Sequence, residues 1–253
     1  MRSLILTAAF IILVTTVFAQ KETGSDKRFR LATSATCTVP LGSFSYAQKE
    51  NSILGQAKTN FGGELLVSKP IYHDWILGFY INYNRFVMDG GAVRQYMQSR
   101  YASNDFYVSY TGNEFGYDLW QVGLEFSHNF RFRHIELEPY VRLLALGIHG
   151  GYGSVGVRRK MKNDSYEENI NLTYSGSDHN FIYPSVGVHI NAPLTKYVYL
   201  VGGAQLMAGK MHVVNRIETT DIFGGGKTEE HILSQSVNAF QAMLGIQVRM
   251  GRR

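Results

Sequence analysis

Phe115-Gly116-Tyr117-Asp118-Leu119-Trp120-Gln121-Val122-Gly123-Leu124-Glu125-Phe126-Ser127-His128-Asn129-Phe130 alternates along most of its length. Trp120, Val122, Leu124 and Phe126 take turns with Gln121, Gly123, Glu125 and Ser127. In an extended chain successive side chains point to opposite faces, so this stretch is a strand with one apolar and one polar face. A helix would scatter the same residues around its circumference.

The same alternation recurs on both sides of it. Upstream, residues 28–39 set Phe29, Leu31, Ala35, Cys37 and Val39 against Arg28, Arg30, Ser34, Thr36 and Thr38. Residues 57–68 set Phe61, Leu65 and Val67 against Asn60, Glu64 and Ser68, and residues 75–88 set Trp75, Leu77, Phe79, Ile81 and Tyr83 against Gly78, Tyr80, Asn82 and Asn84. Downstream, 135–148 opposes Ile135, Leu137, Val141 and Leu143 to Glu136, Glu138, Tyr140 and Arg142. Residues 179–192 oppose Ile182, Val186, Val188 and Ile190 to Tyr183, Ser185, Gly187 and His189. Residues 197–214 carry Val198, Leu200, Ala204 and Leu206 on one face. The last segment, 235–250, opposes Phe240, Leu244, Ile246 and Val248 to Gln241, Gly245, Gln247 and Arg249.

Most of these eight segments exceed the five or six residues usual in soluble sheets. They match the roughly nine to eleven that a tilted strand needs to cross a bilayer. The connections alternate as well. Those at 40–56, 89–114, 150–178 and 215–234 are long and polar, whereas 69–74, 131–134 and 191–196 are short. Long loops on one rim and tight turns on the other are the pattern of a membrane barrel. Aromatic residues beside the short turns (Tyr72, Trp75, Phe130, Phe132, Tyr197 and Tyr199) suit the headgroup zone.

Residues 1–19 read as a secretory signal: Arg2, an apolar run from Leu4 to Val14, and Val17-Phe18-Ala19 before a cleavage at Gln20. Residues 20–253 then form one domain. The single cysteine, Cys37, leaves no intrachain disulfide framework and is expected to be a small wall residue. Gly (26), Tyr (16) and Phe (15) are abundant, and mean hydropathy is −0.13 with no membrane-helix run after the signal. The formal charge of +5 is diffuse, which suits anionic lipid and argues against nucleic acid.

With these segments in place, the chain resembles the small eight-stranded outer-membrane barrels of the OmpA/OmpX type. The resemblance spans essentially all of 20–253 and lies in pattern rather than in a motif. It implies an all-β, up-and-down, antiparallel transmembrane barrel in the bacterial outer membrane, with lipid around it. One departure is the ending Met250-Gly251-Arg252-Arg253, where such barrels often close on an aromatic residue.

Charges facing lipid at mid-depth would cost several kcal/mol, so alternation assigns Arg28, Arg30, Glu64, Glu125, Glu136, Glu138, Arg142 and Arg249 to the interior. An eight-stranded barrel is filled by its side chains. The expectation is a plug of ion pairs rather than a porin-like path. Recognition is expected on the long loops, above all at Tyr96, Tyr101, Phe106, Tyr107 and Tyr110, which alternatively continue the adjoining strands. A partner would be an extracellular or envelope protein, and the chain itself a monomer.

Catalytic readings are weaker. Gly224-Gly225-Gly226-Lys227-Thr228 lacks the first glycine and the following helix of a phosphate loop. The eight histidines form no ligand set, so neither a metal nor a cofactor is expected. A lipid-modifying enzyme would have to draw on His128, His149, His179 or His212 with Ser127 or Ser154. The reading adopted is a non-enzymatic structural or surface-recognition protein; the alternatives are that enzyme, or a membrane component of an export or envelope-assembly machine.

Overall fold

A computed structural model describes residues 28–45, 57–89, 91, 95, 106–112, 116–161, 167–176, 181–182, 184–221 and 226–251. The signal segment expected at 1–19 lies outside them. Among the described residues, twelve strands form one antiparallel sheet: β1 (Phe29–Leu41), β2 (Asn60–Tyr72), β3 (Trp75–Val87), β4 (Phe106–Gly112), β5 (Gly116–His128), β6 (Phe130–Phe132), β7 (Ile135–Met161), β8 (Glu167–Gly176), β9 (Phe181–Ile182), β10 (Ser185–Pro193), β11 (Val198–Asp221) and β12 (Gly226–Met250).

The sheet closes on itself. β12 pairs with β1 from Phe29↔Met250 to Leu41↔Asn238, and β10 bridges β7 and β11. Around the barrel the order is β1-β2-β3-β5-β7-β10-β11-β12, an eight-stranded transmembrane β-barrel. The short pieces extend these walls: β4 continues β5, β6 completes the turn into β7, and β8 and β9 continue β10.

Alternation sorts the two faces. Outward positions such as Leu31, Leu65, Trp75, Val141, Ile190, Leu200, Leu244 and Ile246 are exposed, forming an apolar belt. Free Cys37 sits in the same outward row of β1. Inward positions are buried and mostly polar. Leu124 departs from this scheme. It alternates outward, yet is only 7% exposed, and the ladder between β5 and β7 shifts register beside it.

The long connections differ from the sequence expectation. Residues 106–112, 150–161, 167–176, 215–221 and 226–234 are strand, so β7, β11 and β12 reach 27, 24 and 25 residues. Beyond the bilayer both faces of a strand meet water, and the polar/apolar contrast that marks a strand in sequence fades. Ladder hydrogen bonds still hold the backbone there. By contrast β1, β2, β3 and β5 have 13 residues each. Among the described residues, the wall is therefore tall on one side only.

Two of the short turns, at His73 and Arg133, use positive φ (48° and 25°) on residues that are not glycine. Such turns match the right-handed twist of a hairpin, and they ordinarily favour Gly or Asn.

Candidate functional site

The barrel interior is a stack of three polar layers under an apolar cap. Nearest the short turns, Arg30 pairs with Glu138, and Arg249 pairs with Glu136 while donating to Gln247 Oε1 at 2.9 Å. The Arg249 guanidinium lies 3.7 Å from the Tyr199 ring centroid. Arg28 donates to the Lys196 carbonyl at 2.8 Å, tying the start of β1 to the last short turn.

The middle layer is built around Arg142. Its guanidinium grips Glu64 through two 2.7 Å hydrogen bonds and Glu125 at 2.8–2.9 Å. Tyr80 and Tyr140 lie 4.1 and 4.8 Å from it, and Gln205 accepts a further bond at 3.0 Å. His189 Nε2 reaches Glu125 at 3.2 Å, and its ring stacks on Tyr140. Gly187 gives that tyrosine room: a Cβ there would stand 2.5 Å from Tyr140 Cζ.

Above it, uncharged groups bond to one another across the lumen. Gln241 bonds to Thr38, Asn82, Asn84 and Gln205, and Asn82 bonds to Gln121. Then the chemistry turns apolar. A single 3-10 turn, Gly42–Phe44, lays Phe44 on Phe86 with ring centroids 4.9 Å apart, both rings buried.

All eight charges assigned inward from sequence thus lie in the lumen, seven of them 5% exposed or less and Glu136 partly exposed at the short-turn end. Sequence reasoning set His189, Asn82, Asn84, Gln121 and Gln241 on the polar faces but did not foresee His189 joining the Arg142 cluster or the amides forming a layer. Alternation gives the face of such a residue, but contacts between strands distant in sequence leave no local signal. Glu136 and Glu138 face separate arginines and do not form the shared pair that acid/base chemistry needs.

The catalytic candidates do not converge where they are described. Ser127 is buried inside, whereas His128 lies on the outer face, edge-on to Trp75 and beside Phe130. His179 lies outside the described residues, as do the side chains of His149, His212 and Ser154. Lys227 and Thr228 sit in β12, where a strand follows the glycines rather than a helix. No metal-ligand group occurs among the described residues. Of the expected loop contacts, Tyr96 and Tyr101 lie outside the described residues, and Phe106, Tyr107 and Tyr110 belong to β4, paired with β7.

Among solved structures, three matches are of low identity. A major outer membrane protein from Thermus thermophilus is 13% identical over 87% of this chain and 99% of its own, with a TM-score of 0.39. Neisserial surface protein A is 11% identical over 90% and 100%, TM-score 0.42. Ail, the attachment invasion locus protein of Yersinia pestis, is 10% identical over 88% and 97%, TM-score 0.35. No family model matches the chain, and no curated protein is similar to it.

Proposed function

We propose that this chain is an integral protein of a bacterial outer membrane, non-enzymatic, with a structural or surface-recognition role carried by the sheet beyond the membrane. The observation behind this reading is the excess length of β7, β11 and β12 over the nine to eleven residues a crossing requires. A rigid scaffold that presents material outside the bilayer is where recognition ordinarily resides. The apolar belt and the placement of all short turns on one rim support the membrane location.

The test is a pair of cell-surface experiments. An epitope inserted at 222–225, between β11 and β12, is expected to be stained on intact cells. Staining only after outer-membrane rupture inverts the topology. Replacing 213–233 by a tight turn should leave a compact, heat-modifiable barrel. Cells displaying it should lose the adhesion that the full chain confers to immobilised proteins or glycans. Undiminished adhesion refutes recognition through the outer sheet.

A further inference from the structure

The two ends of the barrel carry different charge. At the far end, cations and anions alternate and pair: Lys58 with Asp89, Arg216 with Glu218 and Glu230, Lys227 with Glu229. The short-turn rim is one-sided. Lys69, Arg131, Arg133 and Lys196 stand there, and among the described residues Asp74 is the one acidic side chain in its turns, 3.5 Å from Arg131. In sequence these cations are scattered among other residues and the positive balance reads as diffuse. Folding brings them onto a single ring.

The ring borders an aromatic girdle. Tyr72, Trp75, Phe130, Phe132 and Tyr197 are each 46–63% exposed, and the Lys196 ammonium lies 5.3 Å from the Tyr197 ring centroid. Apolar rings with adjacent cations are built for a boundary that is oily on one side and negatively charged on the other. Arg133 adds a second indication. Its positive φ would suit glycine better, so the turn carries a cation where the backbone favours none.

We propose that this rim binds anionic phospholipid headgroups in the leaflet that meets the short turns, with Arg131, Arg133 and Lys196 as the phosphate contacts and Trp75 and Phe130 seated against the acyl chains beneath. The proposal rests on the membrane-barrel reading above. Juxtamembrane Lys and Arg attract acidic lipid through the surface potential, and ionic strength weakens the attraction.

The chain supplies its own reporters, because it holds two tryptophans and they lie in opposite girdles. Trp75 opens β3 at the short turn, whereas Trp120 packs on Tyr83, eight positions farther along β3. Full-length mature protein, first shown to fold in neutral phosphatidylcholine vesicles, is compared in vesicles containing brominated phosphatidylglycerol or brominated phosphatidylcholine at equal mole fraction. Failure to fold in neutral vesicles refutes the barrel itself.

With Trp120→Phe, Trp75 should be quenched severalfold more by the anionic lipid. Adding Arg131→Gln, Arg133→Gln and Lys196→Gln, or raising the salt, should abolish the preference. With Trp75→Phe, Trp120 should show none. Equal quenching of Trp75 by the two lipids overturns the proposal. So does a preference that survives the triple substitution, or one shared equally by Trp120, which would trace it to overall charge.

Discussion

Arg142 is the side chain on which the lumen turns. It is 1% exposed and neutralises two carboxylates, Glu125 from the neighbouring strand β5 and Glu64 from β2 across the lumen. Arg142→Met should destabilise the folded barrel by about 3–5 kcal/mol, because both carboxylates are then buried without a cation. Adding Glu64→Gln and Glu125→Gln should recover much of that loss. Urea midpoints of the vesicle-refolded proteins read both, and a silent Arg142→Met would mean the cluster is hydrated rather than packed. Gly187 is the steric counterpart: Gly187→Val drives a branched side chain into Tyr140 and should cost about 1–3 kcal/mol on the same assay. At this scale the sequence was legible wherever a residue carried formal charge, since hydrocarbon expels Arg and Glu whatever their neighbours. Alternation put His189 and Asn82 on the polar faces, but it was silent on their partners and on those of Gln205, which come from distant strands.

Strands carry a second kind of information, the depth at which the bilayer ends. β12 offers the comparison within one element. Ile246 is 47% exposed opposite Leu200 and Thr33 in the belt, and Ile232 is 70% exposed opposite Val214 in the outer sheet. Ile246→Arg should reduce stability by about 2–4 kcal/mol and slow insertion, as a cation in hydrocarbon does. Ile232→Arg should stay within about 0.5 kcal/mol, as a surface change in water does. Equal effects on vesicle folding would misplace the boundary. Leu124 is a poor probe for this purpose, since neighbouring atoms already cover it. All eight membrane walls could be read from residues alternating in the belt. The outer halves of β7, β11 and β12, together with β8, could not, and β4 was read as strand only as the alternative to a contact loop. There Arg158, Asn169 and Thr220 are exposed and Glu218 half-exposed, and the stretches read as loop, although the ladder pairs them.

For the whole molecule, the layered lumen predicts electrical silence. Ion pairs, amides and the Phe44–Phe86 cap succeed one another along the axis, the first two bridging the lumen. In planar bilayers the protein should show no discrete conductance steps at moderate voltage, and regular steps would require the Arg142 cluster to part.

The unequal wall heights give the molecule a front and a back about the membrane normal. Thirteen-residue strands β1, β2 and β3 stop where β7, β11 and β12 run on and where β4 and β8 extend β5 and β10, so the described surface rises as a screen over five of the eight walls. At about 3.3 Å per residue, the dozen or more residues beyond the crossing lift that screen ~30–40 Å outward even when tilted. Most axially symmetric barrels are indifferent to how they are turned in the plane of the membrane. Among the described residues this one is not: its lateral neighbours and anything arriving from outside meet a different surface on each flank.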